Sequence, residues 1–460
     1  MRSHVRTLVV FLLAATAFSL APPPASVRVS IARAAPDDAV LTWNANAGKA
    51  ATAACIAPLD NPLHESRMYA MMHIAVHDAL NAIDRRSRPY AYKVRGPHGA
   101  SPQAAVAAAA HTVLVTLIDQ LPLVPQSCID AGVAIANADY ATALGKIPES
   151  TAKTQGVELG RAAAGAILEL RADDGAVGPF LNFNCPQDTE PGEYQCTPDV
   201  PGGPFIAFEV WENVTPFVLK NSSQFRPRPP YRVTNRKYTA DYNEVKSLGG
   251  DGVTTPSRRS AEQTEIALYW WESSPLKWNR VARIVSPQQG LGPWENARLF
   301  GLLNMALADG YVAMVDAKNH YNYWRPVTAI RNGDTDGNQD TIGDPTWTPL
   351  RVTPPNQDYP SGHSIEGGAG AEVLKQFFGT DRISFQDCSA TLPMPDDPVS
   401  PCSGSSPVFR SYTSFTQAAV ENAHSRIFIG FHFRKAVEVG TAYGRKIGKR
   451  AVNLYLRPLD

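Results

Sequence analysis

Three short stretches of the chain carry residues whose types and spacing suit the chemistry of a tetrahedral oxyanion. The first is Lys318-Asn319-His320-Tyr321-Asn322-Tyr323-Trp324-Arg325-Pro326. Lys318 and Arg325 stand seven residues apart, about two helical turns, so both cations fall on roughly one face. Pro326 then ends that helix. A solvated helix end reads the same way, but the aromatics Tyr321, Tyr323 and Trp324 argue against full solvation. The second stretch is Pro360-Ser361-Gly362-His363-Ser364. Gly362 lets the backbone approach a ligand, the amides opening a following helix favour an anion, and Ser361 adds a hydroxyl donor. His363 is the side chain best suited to proton transfer near neutral pH. A turn with a capping serine would use the same residues. The third stretch is Ser425-Arg426-Ile427-Phe428-Ile429-Gly430-Phe431-His432. An ionised Arg426 in so apolar a run needs an anionic partner, whereas a lone His432 there would more often be a hydrogen-bonded core histidine. In an unbroken helix these two side chains would lie about 240° apart. Gly430 must therefore bend the chain if both face one ligand.

Together the stretches offer Lys318, Arg325 and Arg426, amide and hydroxyl donors, and two histidines. Four oxyanion oxygens call for several charge-assisted hydrogen bonds in a fixed array, with Arg forks and a Lys point charge as natural donors. The motifs K-x6-R-P, P-S-G-H and S-R-x3-G-x-H occur in this order. The chain thereby resembles the superfamily of vanadium-dependent haloperoxidases and type 2 phosphatidic acid phosphatases. Asp316-Ala317-Lys318 and the text through Arg331, Glu421-Asn422-Ala423, and Met71-Met72-His73-Ile74-Ala75-Val76-His77-Asp78 are similar to its soluble bacterial haloperoxidase-like branch. The resemblance spans about 65–455 and is strongest after 293.

That resemblance implies an all-α fold of two helical bundles with long irregular connecting loops. It implies that Lys318, Arg325, Ser361, Gly362 and Arg426 bind the oxyanion and that His363 is the acid–base. His432 becomes the vanadium ligand or, in a phosphatase, the nucleophile that carries the phosphoryl group. The implied cofactor is vanadate, with phosphate as substrate or inhibitor in the same pocket. The implied reaction is halide oxidation by hydrogen peroxide. The alternative is a secreted acid phosphatase that hydrolyses a phosphomonoester through a phospho-histidine. A catalytically idle helical binding protein that keeps the anion site is a third reading, against which the intact His363 and His432 stand. Two positions depart from the family pattern. Four residues after His432, where Asp is frequent, this chain has Ala436, so another group must accept from the imidazole. Seven residues before His363, where halogenating members often carry an aromatic or His, it has Asn356. That departure bears on halide oxidation, of chloride above all.

The elements that must position these residues are mostly helical. Residues 36–173 are expected to form an N-terminal bundle, loose over 36–64 and then helical over 67–86, 102–120, 130–144 and 151–171. Residues 174–258 lose helical periodicity except for short pieces and are dense in Gly and Pro. They read as a long irregular surface connection with short strands, placed to wall a substrate entrance. Residues 259–460 are expected to form the C-terminal domain, with helices over 260–272, 293–318, 364–378, 414–428 and 435–455. Residues 326–360 read as loop, and 381–410 as an insertion. Gly367, Gly368 and Gly370 mark close packing or close ligand approach in the early turns of the 364–378 helix.

Composition bounds what surrounds the site. The chain has 460 residues, 44% of them hydrophobic, with 43 Lys+Arg against 43 Asp+Glu. Zero net charge gives no argument for nucleic acid or an anionic membrane, so an anion site must come from local clustering. Met1 to Arg6 is basic, Thr7 to Ala21 is apolar for about 15 residues, and Ala32-Arg33-Ala34 offers a cleavage site. The run is short against the ~20 residues of a span. Residues 1–34 therefore read as a signal peptide and the mature protein as secreted or periplasmic. No later stretch reads as apolar enough to span, so no stable span is expected in the mature protein. Six cysteines in an oxidising compartment point to disulfides. Of the 15 pairings that six allow, Cys185–Cys196 and Cys388–Cys402 would each staple a Pro-rich loop, leaving Cys55 with Cys128; free buried thiols are the other reading. His73 and His77 at i, i+4 suit packing better than a metal, and Asp334-x-Asp336-x-Asn338-x-Asp340 lacks the Gly and final acid of a calcium loop. Asn213-Val214-Thr215 and Asn221-Ser222-Ser223 are glycosylation sequons.

Overall fold

Asp38 opens the first helix, its carboxylate accepting from the amides of Val40 and Leu41. This helix, α1 (Ala39–Ala53), corrects the loose segment expected over 36–64. Val40, Trp43, Ala47, Ala50 and Ala54 repeat at three-and-four spacing and are buried. Asn44 on that same face obscures the pattern. It is buried because its amide donates to His73 Nε2 at 2.8 Å and to Asn279 Oδ1 at 2.7 Å. The computed structural model describes residues 38–187 and 189–459, and the leader expected at 1–34 lies outside them.

Helices α2 (Pro62–Ile83), α3 (Pro102–Asp119), α4 (Gln126–Gly145) and α5 (Thr151–Leu170) complete the N-terminal group. Asn61, Ser101 and Ser150 cap three of them, and Pro62 and Pro102 stand where a missing amide costs nothing. The connecting segment holds β1 (Leu181–Asn182), paired antiparallel with β2 (Ile206–Ala207), and then α6 (Arg236–Leu248). It is tied down by charge. Buried Asp309 accepts the amides of Phe217, Val218 and Leu219 at 2.6–2.7 Å, and Asp316 takes Arg226 at 2.6 and 2.8 Å.

The C-terminal part contains α7 (Ala261–Tyr269), α8 (Ser274–Gln288), α9 (Pro293–Tyr321), α10 (Pro326–Arg331) and α11 (Gly362–Phe378). The hairpin β3 (Phe385–Cys388) with β4 (Phe409–Tyr412) follows, then α12 (Phe415–Phe428) and α13 (Arg434–Leu454). The expected fold is thus found: thirteen α-helices and four very short strands among the described residues. α9 is buried almost all round and joins both helical groups in one core that runs from Trp43 through Met72 and Leu303 to Ile365 and Ile447. By length and composition α3 and α9 could each cross a membrane, a correction to the sequence expectation. Both turn most of those residues into the protein core.

Glycines set the approach of α13 to α11. A Cβ on Gly440, Gly444 or Gly448 would come within 2.7 Å of Ser361 O, within 2 Å of Ile365 O and within 2.6 Å of Ala369 O, respectively. Gly368 meets the Thr441 carbonyl from the other side in the same way. The two helices therefore lie backbone to backbone, and the N-terminus of α11 is brought beside Ala436, whose carbonyl accepts from Ser361 N at 3.1 Å. The cysteines pair as Cys55–Cys128, Cys185–Cys196 and Cys388–Cys402. His73 stacks on Phe300 and His77 bonds Asp78, so both serve packing. Asp334 and Asp336 bond their own loop through Gly343 N, Asn338 N and Thr341 Oγ1.

Candidate active site

Four chain breaks aim the side chains. α9 stops at Asn322, which takes a left-handed φ of 42°, just after Lys318. Arg325 is the N-cap of α10, with Pro326 as its first residue. Ser361 is the N-cap of α11, and its hydroxyl accepts from Ser364 Oγ at 3.0 Å rather than from the helix amides. Two residues past the end of α12 stands Gly430, whose φ of 87° and contact with the Gly249 backbone exclude a side chain. The turn lets the amides of both Phe431 and His432 donate to Arg426 O. This is the bend that the Arg426–His432 spacing requires.

The segment 356–358 gathers the three stretches. Asn356 Oδ1 accepts from Lys318 Nζ at 3.1 Å and from an Arg325 terminal nitrogen at 2.7 Å. Asn356 O accepts from Arg325 Nε at 2.6 Å, and Gln357 O is a further acceptor for Lys318. Asp358 Oδ1 lies 2.8 Å from His432 Nδ1. Arg325 Nη1 lies over the ring, 3.0 Å from His432 Nε2 and 3.4 Å from Nδ1. A guanidinium only donates. An ionised Asp358 only accepts, so Nδ1–H donates to it and Nε2 is the bare nitrogen. Asp358 supplies the acceptor that Ala436 cannot, and Ala436 lines a small void beside it.

His363 and Arg426 are held from a different side. His363 Nε2 donates to Glu272 O at 3.1 Å, which leaves Nδ1 as the free lone pair. Arg426 Nη1 donates to Trp270 O at 3.2 Å, and its guanidinium lies 4.9 Å from the Phe431 ring centre. Its Nε has no protein partner, and among the described residues no carboxylate pairs with it. The Cβ position of Gly362 is filled by Met314 Sδ at 2.5 Å, so a side chain here would have to displace the Met314 thioether.

The electrostatics are those of a site built for an anion. Lys318, Arg325 and Arg426 are each at most 2% exposed, and Asp358 is the carboxylate beside them. Burial lowers Arg325 to about 10 and Arg426 to about 9, and Lys318 lies well below the ordinary lysine value. Burial, then Arg426, holds His363 well below the usual imidazole range; burial, then Arg325 and Lys318, does the same for His432. Asp358 is raised to about 7 by burial against the pull of Arg325 and Lys318. Three buried cations with one carboxylate leave positive charge that an oxyanion would neutralise. The sequence expectation missed Asp358 and the carbonyls of Trp270 and Glu272. An acid two residues before P-S-G-H was a readable signal for Asp358; backbone carbonyls leave none.

An open cleft of about 560 Å³ adjoins the segment. Asn182, Asn184 and Glu209 of the connecting segment form one wall, and Asn319, Asn322 and Gln357 form the other.

Residues 298–460 match the family described as the VCPO second helical-bundle domain. The chain is 26% identical over 468 residues to the vanadium chloroperoxidase of Curvularia inaequalis, covering 82% of this chain and 75% of that protein. Among solved structures it is similar to the first bacterial vanadium-dependent iodoperoxidase, with a TM-score of 0.73, 24% identity, and coverage of 92% of this chain and 97% of the other. It is also similar to a holo-type bacterial vanadium-dependent chloroperoxidase, with a TM-score of 0.67, 18% identity and coverage of 91% and 95%. The chain thus has the helical fold of the vanadium haloperoxidases, and its residues 298–460 match the family of their second helical bundle.

Proposed function

We propose that this protein is a vanadate-dependent haloperoxidase that uses hydrogen peroxide to oxidise halide. The observation that carries the reading is the bare Nε2 of His432 inside a buried, cation-rich pocket. Lys318, Arg325 and Arg426 would neutralise a bound oxyanion, and Ser361 Oγ–H and the Gly362 amide would donate to it. His432 Nε2 is the atom that would bond to vanadium. When bound, vanadate supplies a Lewis-acidic centre that activates the peroxide. Asp358 keeps the proton on Nδ1 and so keeps Nε2 available as the ligand atom. His363 Nδ1 takes up and returns protons, and an anion that offsets Arg426 raises its proton affinity.

Lys318 and Arg325 share the Asn356 side chain as an acceptor, which draws part of their donor capacity away from a ligand. Iodide and bromide, which are easier to oxidise than chloride, are the proposed halides. The three cysteine pairs support a working place outside the reducing cytoplasm. The test is triiodide or dye-bromination turnover on chelator-stripped protein, with and without added vanadate, beside hydrolysis of a phosphomonoester. Halide-dependent turnover that needs vanadate is expected; phosphatase activity with no halide turnover would overturn the reading.

A further inference from the structure

Residues 270–273, between α7 and α8, hold the candidate site through two backbone carbonyls, Trp270 O on Arg426 and Glu272 O on His363. A carbonyl aims a side chain only as well as its own segment is held. Pro58 O accepts from Ser273 N at 2.6 Å and Glu421 Oε1 from Trp270 Nε1 at 2.9 Å, and at Glu272 the hold is a buried charge quartet. Glu272 Oε1 lies 2.6 Å from Arg280 Nη2 and 3.2 Å from Lys277 Nζ. Asp387 Oδ1 lies 2.8 Å from Arg280 Nε, and its Oδ2 lies 2.9 Å from Lys277 Nζ. All four side chains are at most 4% exposed. Cys388 O accepts from Arg280 at 2.9 Å and from Lys277 at 3.2 Å. Lys277 and Arg280 come from α8, whereas Asp387 and Cys388 come from β3, the hairpin strand stapled by Cys388–Cys402. Through Asp387 and Cys388 the hairpin completes the clamp.

We propose that Asp387 is a positioning residue for the acid–base histidine. Its carboxylate locks Lys277, Arg280 and Glu272, so that the Glu272 carbonyl holds His363 as the Nε2–H tautomer with Nδ1 free for proton transfer. This deepens the proposed function and rests on its assignment of His363. Two cations and two anions balance within the quartet. Removing one anion leaves a buried cation uncompensated, and the segment that carries both carbonyls must shift to relieve it. Misplacing a catalytic group by ~1 Å costs about 10²-fold in rate.

The test is Asp387→Asn, which keeps the shape and removes the charge. One readout is the ¹⁵N spectrum of histidine-labelled protein without vanadate, with the His363 signals identified by their loss in His363→Ala. In the parent, Nε2 should be protonated and Nδ1 bare; in a folded Asp387→Asn the signals should shift to a tautomer mixture. The second readout is turnover. Asp387→Asn should lower kcat by about 10- to 100-fold in the parent and by less than about 3-fold in the His363→Ala background. An unchanged His363 spectrum, or equal losses of kcat in both backgrounds, overturns the proposal. If Asp387→Asn fails to fold, the Cys388→Ser/Cys402→Ser pair unpins β3 with all four charges in place, and the same criteria apply. A parent with no halide turnover defeats the functional reading alone, and the spectrum then decides this inference.

Discussion

His432 is poised by two neighbours of opposite character. Arg325 brings positive charge over the ring, while the Asp358 carboxylate accepts from Nδ1 and so leaves Nε2 without a proton. His432→Ala removes the one proposed bonding atom and should abolish vanadate-dependent turnover, with weak anion binding left to Lys318, Arg325 and Arg426. His363→Ala keeps that atom. It should bind vanadate nearly as the parent does but lose about 10²–10⁴-fold in kcat, the scale of a general acid–base. Turnover and vanadate titration on the two variants check this pair, and normal turnover in His432→Ala would sink it. Asp358→Ala should weaken vanadate binding by about 10–100-fold, the usual cost of losing the group that orients a ligand histidine. Ala436 lies beside the same void, so Ala436→Asp in that background should restore part of the loss in the same titration. Lys318, Arg325, Arg426, His363 and His432 were legible as candidates because cations and histidines stand out in apolar text. Asp358 could have been read from its place two residues before P-S-G-H, whereas Trp270 and Glu272 act through atoms that every residue possesses.

Helix packing decides whether those side chains meet. The α11–α13 contact sets the α11 N-terminus, and with it Ser361, Gly362 and His363, against the chain that leaves His432. Gly444 is the closest point of that contact, since an added Cβ would fall within 2 Å of Ile365 O. Gly444→Ala should force the helices apart and destabilise the fold by about 1–3 kcal/mol, the usual cost of overpacking. It should also lower kcat more than an equally destabilising change far from α11. Urea unfolding with parallel kinetics checks this; parent-like stability would mean that the contact is softer than its geometry. Helix periodicity made α3, α5 and α9 legible, because Ala and Leu fill their buried faces. α8 was not legible for the opposite reason. Its buried face carries Lys277, Asn279 and Arg280, whose partners Asp387, Asn304 and Glu272 lie elsewhere in the chain. A polar face reads as exposed until the partners are known.

The whole molecule carries equal numbers of acidic and basic residues, yet its interior is far from electrically plain. Burial raises Glu65 to about 8 and Asp309 to about 6, and lowers His64 and His73 to about 3. These groups act on stability in opposite directions as pH changes, so the pH–stability curve of the parent cannot be assigned to any one of them. A difference between the parent and a single variant can be assigned, because the other groups cancel. Glu65 is the clearest case, being fully buried in α2, where burial outweighs the pull of the nearby Ser273 hydroxyl. Its folded pKa lies above the unfolded value of 4.5. Its contribution is therefore fully present below 4.5 and is lost as pH rises through about 8, because the unfolded chain gives up the proton first. Glu65→Gln is neutral at every pH and lacks this loss. The variant should match the parent within about 1 kcal/mol near pH 5 and then gain on it with rising pH. The slope should be at most about 1.4 kcal/mol per pH unit, flattening above about 8. Urea unfolding of both proteins at pH 5, 7 and 9 measures the difference. A gap that stays constant across that range would mean that Glu65 is ionised in the folded protein and that its burial is offset by a partner.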